Sequence, residues 1–173
     1  MPDDELTVRY VALPTLGAFH QSTKRRRGVM GPVGSGKSTG MCWEMMSRAR
    51  AQAPKASDGL RYTRFAIIRN TYRKLNDTTV KTWLDWFPEE LFGKFDRQNM
   101  EHVIRDGDIH AEFLFRSLER PKDVKKLLSL ELTGGWVNEA RELPKGLIDA
   151  LDDRCGRFPA VKDGGCTWRG LVM

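Results

Sequence analysis

Much of what would mark a chain for a metal, a membrane or an oxidising compartment is missing from this sequence. Its three cysteines, Cys42, Cys155 and Cys166, are scattered without CxxC spacing. Neither a zinc site nor a disulfide framework fits them, and reduced thiols are the expectation. The three histidines, His20, His102 and His110, show no metal-ligand spacing either. No apolar run approaches the roughly 20 residues that span a bilayer. The opening MPDDELTVRY is acidic where a secretion signal would be basic and then apolar. Internal repeats, low-complexity tracts and an NKxD-type guanine signature are all lacking. The expectation is a soluble intracellular protein with no membrane partner.

What is present is an ordinary globular composition and one informative loop. The 173 residues suffice for one domain with a real core. A net charge of +6 and a pI near 9.4 suit a polyanionic partner, although a merely basic surface gives the same numbers. The loop is GPVGSGKST, in which Gly31, Pro32, Val33, Gly34, Ser35, Gly36, Lys37 and Ser38 satisfy GxxxxGK[ST], with Thr39 beside them. Glycines let successive N–H groups turn inward around phosphate oxygens, where a Cβ would intrude. A helix opening at the end of the loop adds its positive N-terminus. Lys37 can then reach the β- and γ-phosphates, and the Ser38 hydroxyl can hold Mg²⁺. A nucleotide is the expected ligand.

The rest of the chain alternates strands and helices. LTVRYVAL reads as one short strand in a loose lead-in, and KRRRGVMG as a short strand after a basic cluster. Cys42, Met45, Met46 and Ala49 recur at helical spacing up to Pro54, and SDG marks a turn. RFAIIRN reads as a buried strand, and Thr71 to Phe87 as a helix stopped by Pro88. HVIRDGDIHAEFLF reads as an inserted hairpin with its tip at Gly107. PKDVKKLLSL is expected to be a short helix with proline in its first turn. LTGGWVNEA reads as a strand, LPKGLIDALDDRCGRF as a helix, and TWRGLVM as a last buried strand inside which the chain stops. That order predicts an α/β fold of P-loop NTPase type, RecA-like, with a mainly parallel central sheet flanked by helices.

Hydrolysis needs more than a grip on phosphate. A strand must carry a carboxylate to the metal, and a base must orient the attacking water. GWVNEA offers Asn138 and Glu139 at a strand end, where an Asp-Glu pair would be expected. Glu139 suits the base, and Asn138 can meet a metal-bound water through its carbonyl but brings no charge. The competing reading is an ordinary strand-end turn, and Glu112 and Asp106 are rivals on the hairpin. A glutamate beside the metal residue favours ATPases that move along polymers over small-molecule kinases. A P-loop phosphotransferase and a nucleotide-binding fragment without turnover stand as alternatives.

Taken together, GVMGPVGSGKST, AIIRNTYRKLNDTTVKTWLDWFP, RPKDVKKLLSLELTGGWVNEARELP, GRFP and GGCTWRGLVM resemble the ATPase domain of a tailed-phage large terminase subunit, from about Phe19 to Met173. The resemblance implies a RecA-like motor forming a ring on the portal protein, working with a small terminase subunit. Such a motor hydrolyses ATP with Mg²⁺ to drive double-stranded DNA into a procapsid, in the host cytoplasm. It implies a lead-in over 1–22 and an ATPase core over 23–173. A coupling segment and a nuclease domain would begin past Met173. Lys37 and Glu139 become catalytic, Ser38 and Asn138 metal-binding. Gln21 in FHQS becomes an adenine contact, although a lone glutamine is also ordinary polar surface. Arg69, Asn70 and Thr71 resemble a motif that faces DNA or relays to it, with helix capping as the other reading. Many large terminases carry an arginine where this chain has Val33. A neighbour's arginine would then be needed, with Arg154, Arg157 and Arg141 as donors, unless these merely pair with Asp152 and Asp153. Lys24 to Arg27 would either touch DNA phosphates or form a solvated charge run.

Overall fold

The computed structural model describes residues 8–173. Its centre is β2 (Arg61–Arg69), in which Phe65 to Arg69 are all buried. That continuous burial follows from parallel neighbours on both sides, β5 (Ile109–Ser117) and β6 (Gly134–Val137). A strand covered on both faces needs no polar alternation. Phe65 and Ile67 join one apolar cluster with Met45, Met46 and Trp83, while Ala66 and Ile68 join another with Leu127 and Leu147. The first cluster is closed by α2 (Lys37–Ala51) and α4 (Lys81–Trp86), the second by α6 (Val124–Leu128) and α7 (Lys145–Asp152).

The sheet has seven strands in the order β1-β7-β6-β2-β5-β4-β3, with β1 (Arg26–Arg27), β3 (Phe95–Asp96), β4 (Glu101–Asp106) and β7 (Gly170–Val172) completing it. The run from β1 to β5 is parallel, and β4 and β3 continue it antiparallel. This is the expected mixed α/β layering, with one correction. The hairpin turns at Gly107 as anticipated, but it is no insertion, because β5 pairs with β2 along all nine residues and belongs to the central sheet. Gly134 lets β6 pack tightly on β7: a Cβ there would lie 2.6 Å from the Gly170 carbonyl and 2.7 Å from the Trp168 ring.

The lead-in differs from expectation too. No strand forms between Val8 and Leu13, the first two residues of that reading lie outside the described ones, and Pro14–Gln21 is a helix, α1. Proline starts it, and Leu16 packs on Gly40 of α2, where a Cβ would sit 2.8 Å from the leucine. The helix from Thr71 onward exists but is not uniform. Thr71 caps α3 (Tyr72–Lys74), a π-helical stretch runs through Leu75–Val80, and α4 follows. In the Lys24–Arg27 run, Lys24, Arg25 and Arg26 are exposed and only Arg27 is buried. Arg25 and Arg26 pair with Asp152, Arg26 also with Asp149, and Arg27 is buried against Glu44.

Candidate functional site

All strands of the parallel set point their carboxyl ends to one edge, where an open α/β sheet leaves a crevice. A cleft of about 530 Å³ lies there. Gly28 to Val33 form one wall, Asn138 to Arg141 another, and Lys37, Ser38 and Met41 line the start of α2. β7 lies between the strand that feeds the glycine-rich loop and the strand that leads into Asn138.

The loop turns because Gly34 and Gly36 adopt φ of +79° and +75°, conformations that glycine takes without steric cost. Gly36 is the N-cap of α2, no side chain caps it, and no acidic residue stands in the first turn. Among the described residues, the N–H groups of Gly34, Gly36, Lys37, Ser38 and Thr39 find no acceptor. A helix start with unpaired donors and no carboxylate is built to receive an anion. The Lys37 ammonium reaches back into the loop, donating to the carbonyls of Gly31 and Pro32 at 2.7 Å each and to Ser35 Oγ at 3.2 Å. Ser38 Oγ makes no hydrogen bond among the described residues, whereas Thr39 Oγ1 accepts from Trp86 Nε1 at 3.2 Å.

Across the cleft, β6 delivers Asn138 and Glu139. Glu139 stands at φ 55°, ψ 57°, the left-handed region where a non-glycine residue stores strain and marks a site worth explaining. Its carboxylate lies 3.3 Å from Arg141 Nε on the exposed side of the turn. Asn138 Nδ2 donates to Thr79 Oγ1 at 2.9 Å, and its own N–H donates to Ile68 O. Its Oδ1 is left without a partner among the described residues.

Arg69 is largely buried, donating to the Asn138 carbonyl at 3.2 Å and lying 3.4 Å from Glu142. Glu142 is also gripped by Lys74 at 3.0 Å. Chiefly that hydrogen bond, with Arg69 and Arg141 assisting against desolvation, holds the Glu142 carboxyl below the usual carboxylate range. Thr71 Oγ1 accepts from Lys74 N at 3.2 Å, a helix cap. Gln21 is exposed at the end of α1 and does not line the cleft. Nor do Arg154 and Arg157, and they do not pair with Asp152: Arg154 donates to Leu128 O and Arg157 to Asp153 O. Glu112 is bound to Arg64 at 2.6 Å, which removes it as a rival, and Asp106 stands at the far end of the sheet near Arg50. Two of the histidines are engaged within the protein: His102 accepts from Trp83 Nε1 on Nδ1, so its other nitrogen donates to Gly93 O, and His20 meets Glu44. Among the described residues no group of His, Cys, Asp and Glu is arranged to hold a metal.

Thr79 and Glu142 went unread in the sequence. A threonine in a helix carries no spacing signal for a contact 59 residues away. Glu142, three positions after Glu139, was legible only as a second acid in the same turn.

No family model matches the sequence, and no curated protein matches it. Among solved structures, the large terminase of a thermophilic bacteriophage superposes with a TM-score of 0.64 at 13% identity, over 88% of this chain and 33% of that one. The ADP complex of the same terminase gives 0.64 at 14% identity, over 84% and 32%. The ATPase domain of the Thermus phage P74-26 large terminase gives 0.59 at 20% identity, over 94% and 64%. The chain has the fold of phage large-terminase ATPase domains. It spans about a third of the first of these terminases. On that terminase fold, the cleft lies where the carboxyl ends of β1, β6 and β7 converge beside the start of α2.

Proposed function

We propose that this chain is the ATP-hydrolysing part of a viral DNA-packaging motor of the large-terminase kind. One observation carries the reading. A row of unpaired N–H groups at an uncapped helix start faces, across one cleft, a carboxylate just past the end of β6, a parallel strand separated from β1 by β7. The ADP complex of a terminase with the same fold supports a nucleotide as the anion. In this reading Gly31 to Thr39 form a P-loop (Walker A) that cradles the phosphates, and Lys37 neutralises the β- and γ-phosphates.

Ser38 Oγ and Asn138 Oδ1 suit Mg²⁺, since both are hard oxygen donors left unengaged beside the cleft. Bound there, the ion would supply charge neutralisation on the phosphates. Asn138 gives it a dipole and no charge, so the negative ligands must come from the nucleotide. Glu139 accepts a proton from the attacking water as the new P–O bond forms at the γ-phosphorus. The bond to the bridging oxygen breaks, and ADP and phosphate leave. Residues 23–173 form this ATPase core and 1–22 its lead-in. The proposed partners are double-stranded DNA, further copies in a ring, the portal and the small subunit, in the host cytoplasm and at the procapsid.

The test is phosphate release from Mg-ATP, with and without linear duplex DNA. Wild-type turnover should rise with DNA, and Glu139→Gln should lower it by about 10²- to 10⁴-fold, as loss of a general base does. Bound ATP without turnover would reduce the chain to a nucleotide-binding module. Transfer of phosphate to an acceptor other than water would make it a phosphotransferase.

A further inference from the structure

Lys37 and Arg141 are the two cationic residues lining the cleft. Lys37 is engaged by loop carbonyls, whereas Arg141 makes one ion pair among the described residues, to Glu139, beyond a longer-range attraction to Glu142. Its side chain is 83% exposed, and no carbonyl or hydroxyl among the described residues fixes its remaining donors. The loop itself contributes no second cation, because Val33 is apolar and stands fully in solvent. The left-handed turn at Glu139 explains why Arg141 is there at all. It reverses the chain into the short 3-10 turn Ala140–Glu142, so the arginine two positions on comes back over the carboxylate.

An exposed ion pair of this kind is weak, worth about 1 kcal/mol or less. A terminal phosphate carries more charge and offers oxygens that match the guanidinium fork, so it competes well for the same arginine. Resting on the nucleotide reading above, we infer that Arg141 works within its own subunit as a triphosphate-sensing catalytic cation. With no terminal phosphate in the cleft it holds Glu139. When a triphosphate is bound it transfers to the γ-phosphate, stabilises the charge developing there, and releases the Glu139 lone pairs to the attacking water. The arginine occupies one carboxylate oxygen and draws the group toward itself, so one exchange both frees the base for the attacking water and supplies the cation that Val33 does not.

The test compares binding of Mg-ATPγS and Mg-ADP to the whole chain at concentrations where light scattering shows a monomer. Arg141→Ala should lose roughly tenfold in ATPγS affinity, the scale of one hydrogen bond to a charged group, and change ADP affinity less than about twofold. Arg141→Lys should keep part of the preference. Mixing Arg141→Ala with Glu139→Gln should restore no turnover, because each subunit needs both residues. An unchanged ATPγS-to-ADP ratio in a chain that binds both nucleotides overturns the inference alone. Recovery of turnover in the mixture overturns it as well, by showing the arginine to act on a neighbour. If wild type binds neither nucleotide, the ATPase reading falls and the inference with it.

Discussion

Glu44 and Glu139 both sit against arginines, and the two surroundings differ in every respect that decides a residue's use. Glu44 is fully buried on α2 and meets Arg27, Arg48 at 2.7 Å and His20 at 2.6 Å. Arg27 in turn donates to the Phe19 carbonyl and lies over the rings of Phe19 and Trp168. The Glu44 carboxylate takes its partners from three different elements, so the cluster locks α1, β1 and α2 together. Glu139 has one partner among the described residues, in solvent, on its own turn, and a strained backbone. A saturated buried carboxylate has no capacity left for a ligand, whereas an under-coordinated pair at a cleft can exchange. Charge alone would not separate them.

Breaking the comparison at its buried end has the largest expected effect. Glu44→Ala strands Arg27 and Arg48, and should destabilise the fold by about 3–5 kcal/mol in denaturant titration, the cost of leaving buried charge uncompensated. A loss below about 1 kcal/mol, the worth of an exposed pair, would show the cluster to be solvated and the contrast false.

A smaller effect is expected with pH. Burial pushes the Glu44 carboxyl up, but hydrogen bonds from His20, Arg27 and Arg48 outweigh it and hold the group below the ordinary glutamate value. A lowered carboxylate adds stability above the unfolded-chain pKa, and that stability is lost as pH falls through the folded value. Acid unfolding should therefore shift less with pH in Glu44→Gln than in wild type, below about pH 4.5. Equal acid limbs would assign the loss to other carboxylates.

The smallest effect belongs to the exposed end. Glu139→Gly removes a left-handed strain of about 1–2 kcal/mol, partly offset by the greater freedom of glycine in the unfolded chain. Stability should rise by up to about 1 kcal/mol while turnover is lost. A clear fall in stability would mean that the carboxylate is structural, like Glu44.

The two regions also differ in how far they could be read beforehand. Gly31 to Ser38 declared the loop because a turn with left-handed glycines running into a helix constrains residue type at fixed spacing, a local demand. Cys42, Met45, Met46 and Ala49 declared the helix behind it for a similar reason, periodic burial on one face. Asn138 and Glu139 were legible as a strand end. The Lys24–Arg27 run was legible as charge, but that Arg27 is buried against α2 while Arg25 and Arg26 pair with α7 depends on distant partners. The hairpin misled for the same reason: its turn is a local signal, while the pairing of β5 with β2 is not.

The sequence by itself determined the glycine-rich loop, the alternation of strands and helices, and the residue types at the cleft, since each follows from local backbone geometry or periodicity. Tertiary structure alone decided the strand order that sets Glu139 across from the start of α2. It also decided that Thr79 holds Asn138 and that Arg141 rather than Arg154 or Arg157 stands in the cleft. Those choices depend on contacts between residues far apart in the chain, and no short-range pattern encodes which distant partner a side chain will meet.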